Sequence, residues 1–319
     1  MRRYLDVKGN DMKTMQIDRF GGPEVLHAAE AAEPHAGRGQ VRVHVRAIGV
    51  NLFDAKVRAG AMEAVFRTPL PALLGIELAG VVDEVGAGVT ELTVGDEVFG
   101  LSDGGAYAEL AVASVVAKKP KGLSWELAAS LAVAGETATR VLDALAVQRG
   151  EMLLVHGGSG VVGSVAVQLA RLRGARVIAT GSAANQALLA ALGATPVVYG
   201  DGLVARVRAL GAPIDAVFDS AGKGALPDSI ELRGGKTRIV TIADPSAYQL
   251  GIPFSAVPPP AVSPGGTAAM RAALRTLAEL VASGKVTVAV AEVLPLTEAA
   301  RAHAVIEKSH APGKIVLTV

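Results

Sequence analysis

Residues 152–163 read MLLVHGGSGVVG: an apolar run, then four glycines among seven residues, then the start of a stretch with helical spacing. A strand that runs straight into glycines and then into a helix makes a receptive surface for phosphate. The glycines allow a tight turn and close backbone approach, and the first N–H groups of the helix lack intrahelical partners. Gly157, Gly160 and Gly163 give the spacing G-x-x-G-x-x-G rather than G-x-G-x-x-G. A purely structural turn would look the same in isolation, so the flanking pattern has to decide.

Outward from that stretch, residues 151–242 alternate between two patterns. Short apolar runs at 153–155, 177–179, 197–199, 216–218 and 239–242 predict strands, and helices are expected near 164–173, 185–192, 202–210 and 224–233. Such alternation implies βαβ units and a doubly wound parallel sheet of the Rossmann kind, with dinucleotide binding at the glycine turn. Upstream the period changes to two. Val41, Val43, Val45 and Ala47 alternate with Arg42, His44 and Arg46, and Gly80, Gly86, Gly88 and the Gly95-Asp96 turn punctuate the aliphatic pairs of 75–99. Residues 12 to about 122 therefore predict a mostly antiparallel β domain. Ser124 caps an expected helix over 125–134, continued at 137–145. A proline-rich connection at 257–264 leads to helices over 267–282 and 297–308 and a closing strand at 314–319.

At 319 residues the chain has room for two ordinary domains, and 50% hydrophobic residues with 3% aromatics predict aliphatic cores. Thirty-one basic and 30 acidic residues give a net charge of +1 with no block of either sign, which argues against nucleic acid and anionic membrane as partners. The uncharged stretch 177–200 is interrupted by Ser182, Asn185, Gln186, Gly193 and Pro196 and does not read as a membrane span. Arg2 and Arg3 are followed by Asp6, Lys8 and Asp11 where a signal peptide needs apolar residues, so a cytoplasmic protein is expected. Residues 1–11 are polar and patternless and predict a disordered extension; Met12, where alternation begins, is a plausible start. Without cysteine there is no disulfide, no thiolate nucleophile and no Cys-ligated zinc, and the six histidines show no ligand spacing. No metal is expected. Ser159 sits in Gly-x-Ser-Gly, which does not meet the G-x-S-x-G of a hydrolase elbow.

NAD-preferring sites usually place Asp or Glu at the end of the second strand to hold the ribose hydroxyls. Here that position reads Thr180-Gly181-Ser182, and no acidic residue occurs between Glu151 and Asp201. Thr180, Ser182 and Asn185 could donate to a 2′-phosphate, so NADPH is the expected cofactor. These small polar residues could also simply end a strand.

The same residues fall in an ordered series of motifs. It runs from FGGPEVL at 20–26 through GVN at 49–51 with Asp54, GIELAG at 75–80, GDEV at 95–98, AYAE at 106–109 and GETA at 135–138. The glycine loop, LGA at 192–194 and GKIVL at 313–317 complete it. The chain resembles the zinc-independent quinone-oxidoreductase and alkenal/enone-reductase branch of the medium-chain dehydrogenase/reductase superfamily, which includes zeta-crystallin.

That resemblance implies a GroES-like substrate-side domain at 12–134, a Rossmann NADP(H)-binding domain at 135–262 and a segment 263–319 that completes the first. It further implies a homodimer and hydride transfer from NADPH to a small-molecule quinone or enone. Zinc-dependent relatives carry a Cys ligand at the position of Asn51 and a His ligand at that of Ile76. NLFDAK at 51–56 resembles an Asn-Pro-Val-Asp-x-Lys segment whose lysine approaches the cofactor, which makes Asn51 and Lys56 the catalytic candidates. A turn-forming asparagine and a solvated lysine remain the alternatives.

The implied cofactor contacts are Lys56, Thr137, Ser159, Gly160, Val161, Val162, Gly163, Thr180, Ser182, Asn185, Tyr199 and Ile242, with Tyr199 near the 2′-phosphate. Some relatives carry lysine at the position of Asn185. Loops 59–68 and 251–266 would read the substrate. A biosynthetic enoyl reductase, or a dinucleotide-binding sensor or structural protein with little turnover, is the rival role.

Overall fold

The computed structural model describes residues 11–64, 67–256, 266–308 and 313–319. The expected extension, apart from Asp11, and the proline-rich connection at 257–264 lie outside the described residues. The chain divides into two compact units: residues up to Ala132 together with Val290–Val319, and Val133–Ala289.

In the first unit, β1 (Asp11–Ile17) and β2 (His27–Ala32) precede the long strand β3 (Val41–Val50) and a short helix α1 (Leu52–Arg58). Then come β4 (Ala72–Leu73), β5 (Glu77–Val85), β6 (Glu97–Leu101), β7 (Leu110–Ala113), β8 (Val115–Lys118) and α2 (Trp125–Ala128). The alternation in β3 is real: Val41, Val43 and Val45 are buried while His44 and Arg46 face water. Ser124 caps α2 by accepting the Leu127 N–H at 3.2 Å. That helix stops at Ala128 and does not run to 134. The fully buried Ala129, Ser130 and Leu131 turn the chain before the next helix starts at Ala132.

The second unit holds α3 (Ala132–Ala144), β9 (Met152–His156), α4 (Val161–Leu172), β10 (Arg176–Gly181), α5 (Gln186–Ala191) and β11 (Thr195–Val198). It continues with α6 (Leu203–Arg208), β12 (Ala216–Asp219), α7 (Leu226–Arg233), β13 (Ile239–Thr241), α8 (Ala247–Leu250) and α9 (Gly266–Ala282). Its five strands are parallel in the order β11-β10-β9-β12-β13. Every residue of β9 is buried, as a central strand covered on both faces requires. All five expected strands form, with β11 ending one residue short of Tyr199.

The chain then returns to the first unit with β14 (Val290–Pro295), α10 (Ala299–Lys308) and β15 (Lys314–Thr318). These close a seven-stranded sheet in the order β14-β15-β3-β5-β6-β8, with β7 also paired to β3. The division between units falls after Ala289, beyond the expected boundary at 263. Helix α9 stays with the parallel sheet, because Leu277 fills the space beside Gly135 and Gln168 of α4 exchanges hydrogen bonds with Thr287 at 2.8 and 2.9 Å. A proline-rich stretch reads as a domain linker in sequence, but here the next helix packs back on the unit it left. Among the described residues, no helix is long and apolar enough to cross a membrane.

Candidate active site

The glycine loop between β9 and α4 has the geometry its sequence predicts. Gly157 takes φ +74°, a left-handed conformation that suits glycine. A Cβ on Gly163 would lie 2.2 Å from the Gly157 carbonyl oxygen, so the first turn of α4 can sit against the loop only without one. Gly160 is the N-cap and offers no side chain. The N–H groups of Val161, Val162 and Gly163 are therefore the unpaired donors of the helix start, strengthened by its dipole. Val161 and Val162 are half-buried and Gly160 is exposed. Beside them the Ser159 hydroxyl accepts a hydrogen bond from Asn185 Nδ2 at 3.1 Å, which leaves its own hydrogen free for a phosphate oxygen. A cradle that a Cβ would fill, lined by donors and free of carboxylates, fits a dinucleotide pyrophosphate.

The remaining predicted cofactor residues are not all placed as expected. Thr180 turns inward. Its hydroxyl does not face out from the end of β10 but is buried, 3.2 Å from His156 Nδ1 and within 3.4 Å of the Gly157 N–H. His156 Nε2 meets the Ser229 hydroxyl at 3.1 Å, so the imidazole ties β9 to β10 and α7. Burial pushes its pKa down and keeps the ring neutral. Ser182 and Asn185 stand half-buried at the strand end, and Tyr199 is exposed beside them with its N–H on the Gly181 carbonyl. Thr137 is buried with its hydroxyl on Glu136 at 3.4 Å. Half-buried Ile242 sits just past β13 with its N–H on the Asp219 carbonyl.

Asp219 is a residue that sequence reasoning missed. Fully buried, it accepts the N–H groups of Ala221 and Gly222 on one oxygen and the Thr241 hydroxyl on the other. One carboxylate thus shapes the turns that follow both β12 and β13.

The first unit gathers charge around α1. Asn51 caps the helix, and Asp54 Oδ2 accepts the Asn51 N–H at 2.9 Å. The Asn51 amide is fully committed: Nδ2 donates to Gly49 O at 3.2 Å and Glu77 Oε1 at 2.9 Å, and Oδ1 accepts from Lys314 Nζ at 2.6 Å. Lys314 also pairs with Glu77 Oε1. This geometry supports the capping alternative for Asn51.

At the other end of α1, buried Arg58 donates to Gly21 O, to Glu307 at 2.6 Å and to His303 Nδ1 at 3.4 Å. A guanidinium only donates, so Nδ1 accepts and Nε2 carries the hydrogen that meets the Tyr107 oxygen at 2.8 Å. Burial, helped by Arg58, pushes the His303 pKa down to about 3, and burial raises that of Asp54 to about 7. The ammonium of Lys56, half-buried on the same helix, makes no hydrogen bond or ion pair among the described residues. His303 and His156 are thus packing residues, as expected of histidines without ligand spacing. Lys314 carried a signal that went unread: it is the single charge in an otherwise apolar strand, and Glu77 is the single charge in the apolar run 74–82.

A family model described as alcohol dehydrogenase GroES-like domain matches residues 37–121, and one described as zinc-binding dehydrogenase matches 192–317. Quinone oxidoreductase 1 of Escherichia coli is 30% identical over 325 residues, which cover 95% of this chain and 98% of that protein. The 2-methylene-furan-3-one reductase of Solanum lycopersicum is 35% identical over 246 residues, 73% of this chain and 63% of that one. A polyketide synthase of Streptomyces halstedii is 46% identical over 166 residues, which cover 51% of this chain and only 3% of the synthase. A mycobacterial protein solved complexed with NADPH matches with a TM-score of 0.82 and 30% identity over 97% of this chain and all of that one.

The chain belongs to the medium-chain dehydrogenase/reductase superfamily of oxidoreductases, and it is similar over its length to the quinone oxidoreductases. The lack of cysteine, with Asn51 and Ile76 at the two zinc-ligand positions, is consistent with the zinc-independent branch.

Proposed function

We propose that this protein is an NADPH-dependent, zinc-independent reductase of quinones or α,β-unsaturated carbonyls. The observation that carries the cofactor choice is the rim of the glycine loop. Ser159, Ser182 and Asn185 supply polar groups there, Tyr199 stands beside them, and residues 152–200 hold no carboxylate to repel a 2′-phosphate. Thr180 supports the loop from within rather than touching the phosphate. Val161, Val162 and Gly163 direct their N–H groups to the pyrophosphate, while Thr137 and Ile242 border the site in this reading. When bound, NADPH supplies the hydride that a quinone or the β-carbon of an enone accepts.

The chain's own part is orientation and charge stabilisation. Asn51 holds α1 in place, and Lys56, whose ammonium has no partner among the described residues, donates to the substrate oxygen as negative charge grows on it, with solvent giving the final proton. Quinone and furanone reduction in similar proteins supports this substrate class. Dimerisation and a cytoplasmic location, which the resemblance implies, belong to the same proposal.

The test is a spectrophotometric screen of NADPH and NADH oxidation against quinones, enones and enoyl thioesters. Faster turnover with NADPH on the first two classes is the expected result. Tight NADPH binding with no turnover on the whole panel would mean a binding protein instead. A second reading, biosynthetic enoyl reduction, draws on the 46% identity to a polyketide synthase segment, and a marked preference for thioesters would favour it. Activity is expected to survive exhaustive chelation; zinc lost together with activity would show that the site has been misread.

A further inference from the structure

We propose that Lys314 is a positioning residue of this site: its ammonium, locked between Glu77 and Asn51, fixes the head of α1 and thereby the place of Lys56. The inference rests on the reading that Lys56 serves the substrate. Lys314, Glu77 and Asn51 are 3%, 0% and 9% exposed, so solvation does not explain the charges. A buried ion pair is costly to desolvate and is often matched in stability by apolar residues of similar volume, so its retention calls for another role.

The geometry supplies one. Lys314 takes the Asn51 carbonyl oxygen, and Glu77 and Gly49 take the amide hydrogens, so the amide has no free rotation or spare donor. Asn51 starts a helix of only seven residues, too short to hold its own direction. That direction is inherited from its ends. The far end is pinned by Arg58, and of the three charged side chains on α1 only Lys56 lacks a partner among the described residues. An apolar pair at 77 and 314 would fill the space but leave the cap amide free to turn.

The experiment compares the full-length parent with Lys314→Met/Glu77→Gln, which removes both charges together, and with Lys314→Arg, which keeps both. Steady-state kinetics are read with NADPH and the best enone or quinone, and the pH midpoint for acetic anhydride labelling of Lys56 is read by mass spectrometry. In the double variant kcat is expected to fall tenfold or more, the Kd for NADPH to stay within twofold, and the labelling midpoint to move by at least half a pH unit. Lys314→Arg is expected to restore most of both. Asn51→Ala keeps the ion pair and cuts its link to α1, so the midpoint must move there too. Parental kcat and labelling in the double variant, or an unmoved midpoint in folded Asn51→Ala, would overturn the proposal. If the parent reduces no substrate, the proposed function falls, and the labelling of Lys56 alone then decides the role of Lys314.

Discussion

The glycine loop after β9 and the charged cluster around α1 organise polar groups in opposite ways. The loop works by omission: without side chains at Gly160 and Gly163, it leaves backbone donors unpaired and open to a ligand. The cluster works by saturation. Asn51, Glu77, Lys314 and Arg58 are buried and bonded to one another or to backbone, and Lys56 is left without a partner among the described residues. A site made of backbone tolerates no added atom, whereas a site made of buried charge tolerates no missing one.

That contrast can be broken by substitution. The largest loss is expected from Lys314→Met alone, because Glu77 then stays buried without its countercharge at a cost of about 3–5 kcal/mol. Urea unfolding should show this, and adding Glu77→Gln should recover most of it; a loss no larger than that of a surface lysine would mean the pair is not buried.

Next come two opposed pH effects. His303, held down to about 3, stays neutral in the folded chain while the unfolded chain takes up a proton below 6.5, so its contribution to stability rises with pH between those values. Asp54, raised to about 7 from 3.8, keeps a proton the unfolded chain has lost, so its contribution falls as pH rises across that window. The first is worth at most about 5 kcal/mol and the second about 4 kcal/mol, and in the parent they largely cancel. Unfolding free energies measured from pH 4 to 8 should slope downward in His303→Gln and upward in Asp54→Asn. Identical slopes in the two variants would refute the assignment.

Gly163→Ala tests the loop. Its new methyl group meets the Gly157 carbonyl, and overpacking of about 1–3 kcal/mol is expected, with NADPH affinity falling far more than the melting temperature. Retained affinity would place the pyrophosphate elsewhere.

The smallest effect is the most specific. Ser182→Asp should weaken NADPH by about 1–2 kcal/mol and NADH much less, since only the former brings a 2′-phosphate. Asn185→Lys should strengthen NADPH despite losing the bond to Ser159. Dissociation constants at one ionic strength would show both, and no response to either would move the ribose away from the end of β10.

What sequence could reveal follows the same contrast. The glycine loop, the strand it leaves and the helix it enters are contiguous, so a local pattern announced all three. The β3 alternation was legible for the same reason, since burial of one face writes itself into every second residue. The inward direction of the Thr180 hydroxyl was not legible, because the strand end shows a hydroxyl but not where it points, and buried His156 competes for it. Asp219 and Lys314 escaped because their partners are remote: Lys314 lies 263 residues from Asn51. A single charge in an apolar strand was the available sign.

The position of Lys314 in the chain also has a consequence during synthesis. On the edge of β3 away from β5, the half near Val41 pairs with β7 soon after it is made, but the half from Ala47 to Val50 waits for β15. Glu77 waits with it, its carboxylate without the lysine that compensates it. The second unit, continuous from Val133 to Ala289, can complete its sheet while the first is still open. A ribosome-bound chain halted before residue 314 would therefore carry one finished unit beside another with an open strand edge and an uncompensated acid, the kind of surface that chaperones and proteases recognise.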